Sequence, residues 1–203
     1  EGVDDLHGAT HSVISDRIEA GTFAIAAAMT DGDLTLHHSR GHNLDALLMV
    51  LRETGAAVSE SDNLIRIVGN GRPVAADIAT DPFPGFPTDL QAQFMAMMCI
   101  ATGSSRISET IFENRFMHVP ELLRMGADIQ VDGGVAMVRG RDALSPAPVM
   151  ATDLRASVSL VLAALTITGT SQIGRIYHLD RGYSRLEEKL GKCGAILQRV
   201  KAV

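Results

Sequence analysis

The chain has 203 residues, 46% hydrophobic but only 4% aromatic and without Trp, and a formal net charge of −6. This length allows one or two domains with a substantial core, and the negative balance argues against a general nucleic-acid or membrane surface. With no membrane-length apolar run, no signal segment in EGVDDLHGATH and no metal or disulfide pattern in Cys99 and Cys193, a reducing, cytoplasmic setting is expected.

Asp16 opens the first regular element. AGTFAIAAAM is rich in good helix formers and too long for a typical strand, and Asp16 with Glu19 has capping-box spacing. The helix stops at Gly32 in MTDGD. A short strand and a second helix follow, ending at Gly55-Ala56 in LRETGAAV, where glycine can take the left-handed C-terminal conformation. AVSESDNLIRIVG then reads as a hairpin folded at SESDN, and VAADIAT (74–80) as a further strand.

The same order recurs twice. A loop stiffened by Pro82, Pro84 and Pro87 delivers Asp89 to the helix LQAQFMAMMCIA, with Thr88 and Gln91 at capping-box spacing. Gly103 in ATGSS, Gly126-Ala127 in LRMGADI, the hairpin DIQVDGGVAMVRG and the strand APVMAT (147–152) complete that unit. Asp153 opens the third, with LRASVSLVLAAL as its helix, Gly169 in TITGT as its stop, Gly194-Ala195 as its second-helix end and AILQRVKAV as a strand. Stop glycine and Gly-Ala pair are 23 residues apart in the first two units and 25 in the third.

The repeat predicts one α/β domain of three βαβαββ units, spanning approximately 12–80, 81–151 and 152–203, around a pseudo-threefold axis. The third unit is incomplete at Val203, so the sheet either ends on an open edge or is finished by a segment from elsewhere.

Of the 18 basic residues, Lys occurs only at 189, 192 and 201; the arginine fork suits carboxylate and phosphate. Asp89 reads either as a carboxylate on a helix dipole or as one presented to a ligand. Arg181 in HLDRGY precedes Gly182, which permits close backbone approach, or it pairs with Asp180. Arg115 and Arg155 read as orienting cations or as structural salt bridges, and Asp153 as a proton relay or as the partner of Arg155. Asp16 is read as a cap and hinge residue. Cys99 shares an apolar helix with Met95 and Met98 and is expected to be buried and inert. His37, His38 and His42 have no carboxylate at ligand spacing, so no metal is expected.

The stretches DRIEAGTF (16–23), FPTDLQAQF (86–94), ETIFENRFMHVPEL (109–122), MATDLRAS (150–157) and YHLDRGY (177–183) resemble the C-terminal half of the UDP-N-acetylglucosamine enolpyruvyl transferases (1-carboxyvinyltransferases). The resemblance covers nearly the whole chain. It implies an inside-out α/β barrel with helices inside and sheets outside, no cofactor, and two substrates, UDP-N-acetylglucosamine and phosphoenolpyruvate, held between two domains. It further implies Asp89 as sugar contact and general base, Asp153 as proton relay, Arg181 as the cation on phosphoenolpyruvate, Arg115 and Arg155 as supporting cations, and Ile111 as a backbone contact to the sugar nucleotide. The partner would be the family's N-terminal half, whose Lys-Asn pair and reactive-cysteine loop have no counterpart here; neither nucleic acid nor membrane is expected as a partner. The related shikimate-pathway enzymes share the architecture but lack the FPTDLQAQF and ENRFMHV wording. Without the other half, the segment is expected to bind substrate weakly and not to turn over; a non-catalytic sugar-nucleotide module derived from the enzyme is the rival expectation.

Overall fold

The structure, a computed structural model, describes residues 2–200. The first unit runs α1 (Arg17–Met29), β1 (Asp33–His37), α2 (Asp45–Glu53), β2 (Ala57–Ser61) and β3 (Leu64–Val68). β4 (Ile78–Ala79) leads into the second unit, α3 (Thr88–Met98), β5 (Ser104–Ser108), α4 (Val119–Arg124), β6 (Asp128–Asp132) and β7 (Val135–Arg139). β8 (Pro148–Met150) then introduces the third, α5 (Ser157–Leu165), β9 (Gln172–Gly174), α6 (Tyr177–Asp180) and α7 (Leu186–Lys192).

The two helices of a unit differ in kind, and the difference decides the architecture. In α1, every residue from Gly21 to Met29 is buried, as is every residue of α3 from Leu90 to Met98. A helix apolar on all sides must lie inside, and α3 packs against both α1 and α5 at the centre. By contrast α2 buries only Leu47, Leu48 and Leu51, one stripe, and so lies at the periphery. The strands alternate: Ile65 and Ile67 of β3, and Ala136 and Val138 of β7, point inward between exposed neighbours. Helices inside and sheets outside is the arrangement the family resemblance implies.

The sheets are β1-β3-β2, β4-β5-β7-β6 and β8-β9. Hairpins β2–β3 and β6–β7 are antiparallel, whereas β4–β5 and β8–β9 are parallel, each joining the strand before an inner helix to the strand after it. The glycines after the second helices, Gly55, Gly126 and Gly194, have φ of +98°, +88° and +98°, the left-handed turn their spacing implies. At the stop in MTDGD the left-handed residue is Asp31, φ +55°, rather than Gly32.

Two sequence expectations give way. Thr88 does not cap α3: Pro87 is the N-cap residue, and the Thr88 hydroxyl donates to Glu109 at 2.9 Å instead. Residues 195–200 form no strand; Arg199 there forks onto Asp180 and Glu187 at 2.7–3.1 Å. A lone segment with no hairpin beside it has no ladder to join. The remainder of AILQRVKAV, 201–203, lies outside the described residues.

Candidate active site

Three inner helices begin at one end of the molecule, each with a carboxylate at its entry. Asp16 N-caps α1, its Oδ1 accepting from the amides of Ile18 (2.8 Å) and Glu19 (3.1 Å). Asp153 precedes α5, and its Oδ1 accepts from the amides of Arg155 (2.8 Å) and Ala156 (2.5 Å). Asp89 is different. It sits in the first turn of α3 with its side chain outside the capping role, and its Oδ1 accepts from Arg115 at 2.7 Å. The prolines explain the difference: Pro87 at the N-cap position offers no side-chain oxygen, so the cap is lost and Asp89 is left to project.

Arg155 stands between the units. Its guanidinium lies 3.9 Å from both Asp16 and Asp89, 5.5 Å above the ring of Tyr183, and 3.5 Å from the carbonyl of Gly182. Arg115 and Arg155 are only 20% and 19% exposed, but Asp89 is 38% exposed. The pairs are open on the Asp89 side only, so an arriving anion can compete with Asp89 for either arginine. Asp89 Oδ2, which makes no short hydrogen bond, is the oxygen free to meet a hydroxyl.

The second unit departs from the other two just after its first strand. His38 after β1 and Arg175 after β9 are both left-handed, φ +58° and +57°. The equivalent residue after β5 is Glu109, buried, with its carboxylate accepting from the hydroxyls of Thr80 and Thr88 (2.9 Å each) and the amides of Ile111 (3.0 Å) and Phe112 (3.1 Å). Four donors offset the desolvation of a buried carboxylate without a cation. The result pins the 109–116 loop to the head of α3. Asn114, left-handed at φ +54°, then aims Arg115 back at Asp89, and Arg115 also lies 5.1 Å over Phe112. This loop and Gly133-Gly134 line a surface depression.

Sequence reasoning singled out Asp89, Arg115 and Arg155, and the structure brings these three together. Asp153 holds Arg155 through its backbone amide. Ile111 lines the depression with its N–H committed to Glu109. Arg181 is exposed at the C-terminus of α6 and makes no ion pair among the described residues, while Asp180 is taken by Arg199. Its turn nevertheless abuts the cluster, since a Cβ on Gly182 would come within 2.6 Å of Leu154 and 3.4 Å of Arg155.

Sequence reasoning passed over four residues. Glu109 reads as an ordinary polar residue after a strand; only its place opposite two left-handed residues in the repeat marks it. His118 is fully buried, and loss of water pushes its pKa down to about 4, outweighing the nearby Asp153 carboxylate and the Arg115 backbone, which both favour the protonated ring. Tyr183 and Gln93 are buried together. The Tyr183 oxygen lies 2.9 Å from the Thr22 hydroxyl and receives the Gln93 amide at 3.2 Å, and burial raises its pKa, keeping the phenol protonated. Cys99 is buried as expected and its thiol is pushed up to about 12, whereas Cys193 is exposed. Among the described residues no group of three or more His, Cys, Asp or Glu side chains could hold a metal, and no helix is long and apolar enough to cross a membrane.

The family model for EPSP synthase (3-phosphoshikimate 1-carboxyvinyltransferase) matches residues 1–190. A UDP-N-acetylglucosamine 1-carboxyvinyltransferase from Caulobacter vibrioides is 63% identical over 98% of this chain and 47% of its own length. Another of that name from Geobacter metallireducens is 57% identical over 98% of this chain and 48% of its own length. The chain thus spans about half the length of the curated relatives it matches. Among solved structures, the enolpyruvyl transferase NikO from Streptomyces tendae superposes with a TM-score of 0.79 at 29% identity, over 91% of this chain and 44% of that one. EPSP synthase from Acinetobacter baumannii shares the fold, with a TM-score of 0.64 at 17% identity over 80% of this chain and 40% of that one.

Proposed function

The chain belongs to the EPSP synthase family of enolpyruvyl transferases, and on that premise we propose that it is the C-terminal half of a cytoplasmic enzyme transferring the enolpyruvyl group of phosphoenolpyruvate to the 3-hydroxyl of UDP-N-acetylglucosamine, the first committed step of peptidoglycan synthesis. In this reading residues 1–203 form one domain, and the active site closes only against the complementary half. The observation that carries the reading is the meeting of Asp89 with Arg115 and Arg155, contributed by two successive units, at an opening where the carboxylate is still accessible.

The reaction requires a base at the attacking hydroxyl, a proton delivered to and later removed from the pyruvyl methylene, and cations for a phosphate and a carboxylate. Asp89 Oδ2 accepts the hydroxyl proton as the sugar oxygen bonds to C2 of phosphoenolpyruvate, a role supported by its lack of a short hydrogen bond. Arg115 and Arg155 exchange Asp89 for the anionic groups of the substrates, and exposed Arg181, free of Asp180, supplies a third cation. Asp153 Oδ2, the oxygen not bonded to backbone amides, supports proton transfer at the methylene. The C2–O–phosphate bond then breaks, phosphate leaves, and loss of a methylene proton restores the double bond. Ile111 offers its carbonyl to the sugar nucleotide, since its N–H is engaged.

The test is Asp89→Asn in the intact protein. Removal of a general base lowers kcat by about 10²–10⁴-fold with the fold retained by circular dichroism; near-normal turnover takes Asp89 out of the base role. A second reading, another enolpyruvyl transfer, is favoured by the likeness to NikO at 29% identity. Turnover with UDP-N-acetylglucosamine but not shikimate 3-phosphate distinguishes this acceptor from that of the shikimate pathway.

A further inference from the structure

Arg155 is the cation shared by the units, yet its guanidinium makes no short hydrogen bond to a carboxylate. Both acidic partners lie at 3.9 Å, and its remaining fixed contacts, the Gly182 carbonyl and the ring of Tyr183, belong to one turn. That turn is held from below. The Tyr183 hydroxyl reaches Thr22 on α1 and Gln93 on α3, and the same Gln93 amide donates to the backbone carbonyl of Asp89 at 2.8 Å. Thr22 is fixed in turn, its hydroxyl donating to the carbonyl of Ile18, whose own amide donates to Asp16. A single phenol therefore joins all three units between one and two helical turns behind the carboxylates of Asp16 and Asp89. We infer that Tyr183 is a positioning residue for the transfer reaction: through its ring it sets where the Arg155 guanidinium stands between Asp16 and Asp89, and through its hydroxyl it ties that position to the helices carrying both carboxylates.

Tyr183 touches no substrate in this account. Its effect passes through Arg155, so the inference rests on the site proposed above. A buried tyrosine that merely fills the core would have its hydroxyl satisfied in the same way, but its removal would affect stability alone.

The experiment is a double-mutant cycle in the intact protein, read as kcat/KM with both substrates. Tyr183→Phe keeps the ring and removes the tether, and is expected to lower kcat/KM about tenfold, while in an Arg155→Ala background the same change has less than about a twofold effect, since residues acting as one unit are non-additive. Thr22→Val provides a second route and should reproduce the loss and its dependence on Arg155, whether or not Tyr183→Phe folds well. Unchanged kcat/KM in the folded Tyr183→Phe and Thr22→Val proteins overturns the inference while leaving the site intact. Equal losses with and without Arg155 overturn it too, because that is the pattern of a structural role. Wild-type activity in Arg155→Ala is a different failure: it removes Arg155 from the site, and the inference falls with it.

Discussion

His118 shows how burial at a single residue becomes a property of the whole protein. Its ring is neutral in the folded state because desolvation holds its pKa at about 4 against 6.5 for the exposed group. The unfolded chain therefore binds a proton that the folded chain refuses. Stability is fully present above about pH 6.5 and declines as pH falls toward 4, by about 3 kcal/mol if the shift is fully expressed. His118→Leu should flatten the fall in melting temperature between pH 7 and pH 4.5; the same slope in the variant would assign acid sensitivity to another group. Asp89 was legible at this scale as an acidic residue at a helix start, but its partner was not. Arg115 lies 26 residues away in the chain, and no local spacing rule connects a helix mouth to a loop across a strand. Glu109 and Tyr183 were hidden for a related reason: each is polar, and each is buried only because donors from distant segments satisfy it.

Among the elements, the inner helices obey packing more than propensity. Gly21 lies mid-helix in α1, where Ala would ordinarily be favoured by about 1 kcal/mol. Here a Cβ would approach Leu90 Cδ1 to 2.5 Å and Leu47 Cδ2 to 3.0 Å, and both leucines are fully buried. Overpacking costs about 1–3 kcal/mol, which outweighs the helix gain, so Gly21→Ala should lower the melting temperature; a rise would mean the α1–α3 contact is looser than its burial indicates. The same logic accounts for α3 without a capping side chain. A helix enclosed by α1 and α5 derives its stability from burial, and its first turn is left free to project Asp89 rather than tie it down. Helix identity and order were readable from composition and the glycine stops. The Thr88–Gln91 spacing misled because a capping box needs the Thr at the N-cap position, and Pro87 occupies it.

For the whole molecule, the three units are alike in path but unequal in completeness. The second owns a four-stranded sheet, whereas β8-β9 has only two strands among the described residues, and two strands are marginal without a neighbour. Asp89 stays 38% exposed between two largely buried arginines, Arg115 and Arg155, so water still reaches the carboxylate, and electrostatic catalysis depends on excluding water. The 203-residue chain alone should release no phosphate from phosphoenolpyruvate and UDP-N-acetylglucosamine, and adding the complementary half as a separate polypeptide should restore release. Turnover by the chain alone would mean that these residues suffice as a site.

With the family resemblance supplying the interior placement of the Ala- and Met-rich helices, composition and period were enough to establish the threefold α/β repeat, the left-handed glycines after each second helix, and the carboxylates at the three helix mouths. These follow from local physics, in which hydrophobic pattern fixes which faces are buried and glycine or aspartate fixes where helices begin and end. Only folding in three dimensions decided that Asp89 alone of the three is released from capping, that Glu109 is buried to steer Arg115, and that Tyr183 ties the units together behind Arg155. Each of those is an exchange of water for a protein partner dozens of residues away, and such an exchange has no meaning until the three units have closed around one axis.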